Sequence, residues 1–304
     1  LSLGSWHACA VTFLGRLYSW GYNSKHNVLG RNCDKKCSLT PGLVPTLNSV
    51  KVKTVSCGHN FTLVCSQDGD AYSWGCGRYG VLGQGSERCV LIPRKIESLE
   101  HVFIHTVNAG YAHCGAVSED GRLFMFGKGA DGALGFGVDD LNCKLEPTWL
   151  RPENLIGTKI TTVSCSVGEH RGHTMALNQS GELFVWGSNY QGKLGLGDQE
   201  PRCVPVRIPP EFLKNIPVTK ISAGGAHSGA VTSKGVIYTW GSGKDGRLGH
   251  CNVPGKLEAY YSARPKEVQI LKSEKSGRIA ENADLVATDI SCSHYHTVVL
   301  LDYS

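Results

Sequence analysis

The chain has 304 residues, 41% hydrophobic and 19% charged, and 31 basic against 26 acidic residues give a net charge of +5. That apolar content supports a buried core and excludes a disordered chain, while the scattered charge lacks the Lys/Arg blocks of a nucleic-acid-binding arm. No apolar run approaches the roughly 18 residues that cross a bilayer, the opening LSLGSWHACAV lacks the basic flank and cleavage site of a secretory leader, and thirteen cysteines without a paired framework indicate a reducing, intracellular setting.

Read in chain order, the sequence repeats. The first unit carries His7, the aromatic pair Tyr18 and Trp20, and Leu29-Gly30; the second carries Cys57, Phe61, Tyr72 and Trp74, then Leu82-Gly83 and Pro93. The third has Ala109, His113, Phe124 and Phe126, and Leu134-Gly135, and the fourth Cys165, His173, Phe184 and Trp186, Leu194-Gly195 and Pro205. The fifth has Ala223, His227, Tyr238 and Trp240, and Leu248-Gly249; after it ISCSHYHTVVLLDYS repeats only Cys292 and His296. The aromatic-glycine pairs are 54, 52, 60 and 54 residues apart. A period of this size is the mark of a repeat architecture.

Within each unit the apolar period is two, which predicts strands, and no stretch sustains a 3.6-residue period. Four strands per unit follow. The first ends on a small residue, as where inner strands crowd an axis. The second opens at the histidine position, with His296 opening it in the last unit. The third carries two aromatics on one face, each ring able to bury about 150–250 Å², and the fourth contains proline, which suits an edge. Five complete units and the first two strands of a sixth predict 22 strands in one all-β domain over 1–304, a β-propeller of four-stranded antiparallel blades. Because Leu1 falls inside a repeat, the chain reads as a piece of something longer.

Three segments mimic a dinucleotide fingerprint: GCGRYG from Gly75, GKGADG from Gly127 and GSGKDG from Gly241. That fingerprint needs a helix opening on the third glycine, whereas here Leu-Gly and an edge strand follow, so these are turns. The histidine recurs in five of six units, which favours a scaffold hydrogen bond over a reaction centre. Cys33 and Cys37 with His26 make a weak zinc pattern without a second cysteine pair and read as surface-loop residues. No catalytic residue, metal site, cofactor or small-molecule substrate is expected.

If repeated positions build the scaffold, function belongs where the units differ. The connectors between first and second strands share one rim with those between third and fourth, and before the histidine the residues vary: Trp6, Asn60, Tyr111 with Ala112, Ala226 and Tyr295. The fourth unit has a longer charged loop with Glu169, His170 and Arg171. Aromatics, arginine and a carboxylate on one rim resemble an interaction surface. Lys35, Lys36, Lys256, Tyr260 and Tyr261 in longer connectors would widen it. The candidate partner-binding set is Trp6, Asn60, Tyr111, Glu169, His170, Arg171 and Tyr295.

The combination of G-x-x-H at the second strand, L-[YF]-x-W-G at the third and L-G after it resembles the regulator of chromosome condensation repeat. Members typically form seven-bladed rings, and the family includes an exchange factor for the small GTPase Ran. The resemblance implies a protein partner, a Ran-type GTPase or histones in chromatin, with no membrane association and a nuclear or cytoplasmic location. It equally implies a non-catalytic interaction domain of a ubiquitin ligase, kinase or chromatin adaptor. Exchange factors of the family place an acidic residue directly before a second-strand histidine and insert a hairpin wedge; here that residue is never Asp or Glu, and Glu169 is the nearest substitute. Ultraviolet sensing, also found in the family, needs clustered tryptophans, whereas Trp6 alone lies on the relevant loops and Trp149 falls in an outer strand.

Overall fold

Period-two patterning prevails. The computed structural model, which describes residues 1–31, 36–169, 171–250, 259–269 and 285–303, consists of 22 strands joined by turns, with helical pieces no longer than a 3-10 turn of three or four residues. The first unit holds β1 (Ser2–Leu3), β2 (His7–Val11), β3 (Leu17–Tyr22) and β4 (Cys37–Leu43). The second holds β5 (Val52–Cys57), β6 (Phe61–Ser66), β7 (Ala71–Gly75) and β8 (Val90–Lys95). The third holds β9 (Ile104–Ala109), β10 (His113–Ser118), β11 (Leu123–Gly127) and β12 (Lys144–Trp149). The fourth holds β13 (Ile160–Cys165), β14 (His173–Asn178), β15 (Leu183–Gly187) and β16 (Arg202–Arg207). The fifth holds β17 (Val218–Ala223), β18 (His227–Thr232), β19 (Ile237–Ser242) and β20 (Tyr261–Glu267), and the sixth β21 (Leu285–Cys292) and β22 (Thr297–Tyr303).

Each unit is its own antiparallel sheet whose strands pair in sequence order. In β6, β10, β14 and β18 every residue is buried, because a neighbouring sheet covers each face. Five buried apolar clusters occupy the five joints between successive units. The expected aromatics are at their centres: Trp74, Phe126, Trp186 and Trp240 are fully buried. Trp20 is only half-buried. Among the described residues no cluster joins the sixth sheet to the first, and Leu3 of β1 and Val298 and Leu300 of β22 are 69%, 68% and 60% exposed. One boundary differs from expectation: β22 begins at Thr297, and His296 precedes it, exposed.

A hydrogen-bonded relay crosses each joint inside the apolar packing. Between units four and five, His173 Nε2 lies 2.9 Å from Ser228 Oγ, the Ser228 hydroxyl donates to the Lys193 carbonyl (2.8 Å), and the Trp240 indole N–H donates to the same carbonyl (2.9 Å). Since the hydroxyl proton goes to the carbonyl, the imidazole is the donor in its own bond. His113, Thr174, Trp186 and the Ala133 carbonyl repeat the relay between units three and four. His7, Thr62, Trp74 and the Val28 carbonyl do so between one and two, and His227, Thr297 and the Arg247 carbonyl between five and six. The joint between two and three is the exception. There Phe61, Cys114 and Phe126 replace all three side chains together, leaving a Cys114 Sγ contact of 3.4 Å to the Val81 carbonyl. The replacements are mutually consistent, because a buried imidazole or hydroxyl without its partner costs about 1–3 kcal/mol.

A second relay runs along the inner strands. The side chains of Ser2, Ser56, Asn108, Ser164 and Ser222 accept from the backbone N–H of Cys57, Ala109, Cys165, Ala223 and Cys292 in the following unit, at 2.7–2.9 Å. The small residue expected at that register is what lets the two backbones approach. The repeated glycines have equally specific causes. After the third-strand aromatic, Gly187 adopts φ +103, and a Cβ there would lie 2.5 Å from the Gly172 carbonyl oxygen. In the Leu-Gly pair, a Cβ on Gly195 would lie 2.7 Å from Trp240 Nε1 of the next unit. The dinucleotide mimics are turns: Tyr79, Asp131 and Asp245 take left-handed conformations inside 3-10 turns, and no longer helix follows.

Two predictions follow from the relay. Ser228→Ala should lower stability by about 1–3 kcal/mol by stranding His173. The pair His173→Phe with Ser228→Cys, copying two of the three replacements at the joint between units two and three, should cost less than the sum of its single changes by about 0.5–3 kcal/mol in a urea-unfolding cycle. Burial pushes His113 and His227 down to about 4 and His173 well below its ordinary value. A depressed histidine contributes stability that is complete above the unfolded-chain value of about 6.5. The urea midpoint should therefore hold level just above pH 6.5 and fall as the pH drops from there toward about 4.

Candidate functional site

The connectors leaving the inner strands emerge on one rim. In the first three units the residue after the glycine forms a lateral chain: Ser5 Oγ is 2.8 Å from His59 Nδ1, and the His59 and Tyr111 rings stack at 4.3 Å between centroids. The chain ends on the fourth unit's long loop. Tyr111 N–H donates to the Ser166 carbonyl (2.9 Å), and the Tyr111 phenol is pushed up, mainly by burial and further by the negative charge of Glu169 beside it. Burial likewise pushes His59 down, with Glu169 opposing. The exposed Glu169 carboxylate therefore terminates a line of side chains crossing four units.

Beyond Glu169 the same loop is shaped by a left-handed Arg171 (φ 59), whose guanidinium lies 4.3 Å from the Tyr190 ring. Tyr190 belongs to the third-to-fourth-strand connector of the same unit. The loop is held from below: the Lys193 ammonium, 1% exposed, donates to the Arg171 carbonyl. Lys193 occupies the position whose carbonyl anchors the interunit relay, filled in the first three units by Val28, Val81 and Ala133. In the fifth unit the equivalent Arg247 does the same work, donating to the His294 carbonyl (3.2 Å) and lying 5.4 Å from the Tyr295 ring. In units four and five one residue thus ties the scaffold to the rim.

Of the expected set, the structure brings Tyr111 and Glu169 into contact and places Arg171 on the same loop. Trp6, 56% exposed, packs on Tyr22 at 6.3 Å rather than on Tyr111. Asn60 is half-buried, and its carbonyl accepts from Cys76 N–H. Tyr295, 54% exposed, stands apart on the sixth unit with His294 and Arg247. His170, Cys33, Lys35 and Lys256 lie outside the described residues. Tyr260 is tied to His250 (2.9 Å) and Tyr261 to Gln199 (3.2 Å). The sequence reading missed Ser5, His59, Tyr190 and Arg247. The signal for the first two was their fixed offset from the inner-strand glycine. Cys37 is exposed in β4, and His26 Nδ1 faces Cys89 Sγ of the second unit at 3.1 Å. Aromatic faces, arginines and a carboxylate gathered on one rim are residue types that interface hot spots favour.

Comparison with known proteins agrees with this architecture. A family model described as the RCC1-like domain matches residues 1–299. The chain is 36% identical to the ultraviolet-B receptor UVR8 of Arabidopsis thaliana over 82% of its own length and 54% of the receptor's. It is 30% identical to the probable E3 ubiquitin-protein ligase HERC6 of Homo sapiens over 97% of its own length and 26% of the ligase's. The chain thus spans about half of one relative and about a quarter of the other. Among solved structures, human WBSCR16 superposes with a TM-score of 0.81 at 26% identity, covering 98% of this chain and 70% of that one. Prp20p of Saccharomyces cerevisiae, described together with its binding to Gsp1p and histones, superposes with a TM-score of 0.76 at 23% identity, covering 99% and 67%.

Burial also pushes Lys193 down, to about 8. A folded-state value below the unfolded value of about 10.4 means that the parent protein gains stability as pH rises through 8 toward 10.4. The difference in unfolding free energy between Lys193→Met and the parent should therefore shift steadily in the parent's favour over that interval, as read by urea unfolding at matched pH.

Proposed function

We infer, from the premise that this chain belongs to the RCC1-like domain family, that it is a protein-docking propeller whose partner sits on the rim carrying Tyr111, Glu169 and Arg171. One observation carries the reading: the lateral chain Ser5, His59, Tyr111, Glu169 organises exposed polar and aromatic groups across four units without any of them being needed to close a joint. Interface hot spots favour such anchored aromatics and arginines, and the scaffold under Arg171 holds the loop in place before binding, which lowers the ordering cost. Trp6 at one side and Tyr295 with Arg247 at the other extend the surface.

The specific version is regulation of a Ran-type GTPase, since the structurally similar Prp20p is described with Gsp1p and with histones. Glu169 is the acidic group available to it, and its charge lies beside the Tyr111 phenol on the rim. A non-catalytic module of a larger protein is the second reading, favoured by the extent of the match to HERC6 within a much longer chain. Light sensing has little support: among the described residues no tryptophan pairs with another, Trp74, Trp186 and Trp240 are committed to joint carbonyls, and Trp149 is covered by Arg151 at 3.3 Å.

The test uses a Ran-type GTPase carrying fluorescent GDP and, separately, core histones as probes. Tyr111→Ala combined with Arg171→Ala should weaken binding of whichever probe engages by about 30-fold or more, the equivalent of one hot spot of about 2 kcal/mol. Phe13→Ser, at a fully exposed residue on the β2–β3 turn of the opposite rim, should leave it unchanged. The reverse pattern would move the docking face to that rim. Accelerated GDP release, lost in Glu169→Ala, would establish exchange; binding without acceleration would leave docking alone.

A further inference from the structure

His26, Cys76 and Cys89 come from three places in the sequence and meet at the joint between units one and two. His26 lies in the connector after β3, while Cys76 and Cys89 mark the two ends of the connector between β7 and β8. One ligand atom from each lies within 4.8 Å of the other two, and His26 Nδ1 is 3.1 Å from Cys89 Sγ. Tetrahedral zinc, with Zn–S about 2.3 Å and Zn–N about 2.0–2.1 Å, requires ligand separations of about 3.6–3.8 Å. Small side-chain rotations reach that spacing.

The backbone holds the three in place independently of any ion. A Cβ on Gly77 would lie 2.1 Å from the Arg88 carbonyl oxygen, so only glycine lets the segment after Cys76 press against the segment before Cys89. Cys76 N–H is fixed to the Asn60 carbonyl at 2.9 Å. On the other side of the joint, Asn27 takes a left-handed conformation (φ 53) and donates from Nδ2 to the Leu91 carbonyl at 2.6 Å, which pins the turn bearing His26 to β8. All of these contacts lie outside the relay and the docking rim's lateral chain.

We propose that His26, Cys76 and Cys89 bind one zinc ion that staples the first unit to the second, with the fourth position open to water. Two thiolates and a neutral imidazole balance the dication, and a soft sulfur-nitrogen set selects zinc over calcium or magnesium. Binding releases the two thiol protons to solvent. Cys89 is exposed and His26 half-buried, so the site is reached from outside. A second thiol-imidazole group, His7, Cys9 and Cys57, is buried in the same joint and serves as the internal control.

The experiment is zinc stoichiometry by mass spectrometry on protein purified under a phosphine reductant without chelator, paired with titration of cobalt(II), whose thiolate charge-transfer absorption reports sulfur ligation. One zinc per chain is expected. Cys89→Ser and, independently, His26→Gln should weaken it by more than the roughly 10–100-fold that disturbing a ligand's own partner costs. Cys37→Ser and Cys9→Ala should retain it. Metal that survives both Cys89→Ser and His26→Gln, metal lost from Cys9→Ala instead, or no metal above the Cys89→Ser background would overturn the assignment. So would recovery of a Cys76–Cys89 disulfide-linked peptide from the reduced, metal-supplemented protein.

Discussion

One backbone carbonyl per joint organises this molecule. The oxygen just before each Leu-Gly pair, on Val28, Ala133 or Lys193, accepts from both a hydroxyl and an indole of the next unit. Through the hydroxyl it also orients a histidine of its own unit. A buried carbonyl has two lone pairs and must satisfy them. Here both are spent across an interface that is otherwise packed mainly by apolar side chains, so together with the inner-strand bonds the relay sets the orientation that van der Waals packing alone leaves loose. The joint of Phe61, Cys114 and Phe126 reaches the same end by removing all the polar side chains together, and the apolar cluster around it is the largest of the five.

The division between scaffold and surface follows from the same geometry. Histidine, hydroxyl and tryptophan are consumed within the joints, and inner-strand serines are consumed between backbones near the axis. What remains free is the rim, where the connectors diverge in length and composition. Lys193 and Arg247 connect the two levels: the main chain of each belongs to a joint, while its cationic end holds the loop with Arg171 or with His294. The loops of the candidate rim thus rest on side chains whose backbones are part of the relay. The connectors between units one and two use their freedom differently, bringing an imidazole and two thiols together at the edge of a joint.

The sequence disclosed its strands because their signal is local. Alternation over five or six residues, glycine after each aromatic and proline in each fourth strand depend only on near neighbours, so the 22 strands, the inner register of Cys57, Ala109, Cys165, Ala223 and Cys292, and the common rim were legible. The turn character of the three glycine-rich segments was legible too, from the missing helix. What failed were pairings between units. Nothing near His26 in the sequence announces Cys89, 63 residues away, yet its imidazole faces that thiol.

The sequence by itself determined the all-β repeat, the burial of its aromatics and the loops in which the units differ, because a period-two pattern and a turn residue act over a few bonds. Only the tertiary structure decided that Tyr111 meets Glu169, that Lys193 reaches beneath Arg171, and that the substitutions at Phe61, Cys114 and Phe126 are one coordinated change. The first and last arise when units some 54 residues apart are laid side by side, and the second when two connectors of one unit fold over the same rim; their distances depend on the angle between sheets and the paths of loops, which no local pattern encodes.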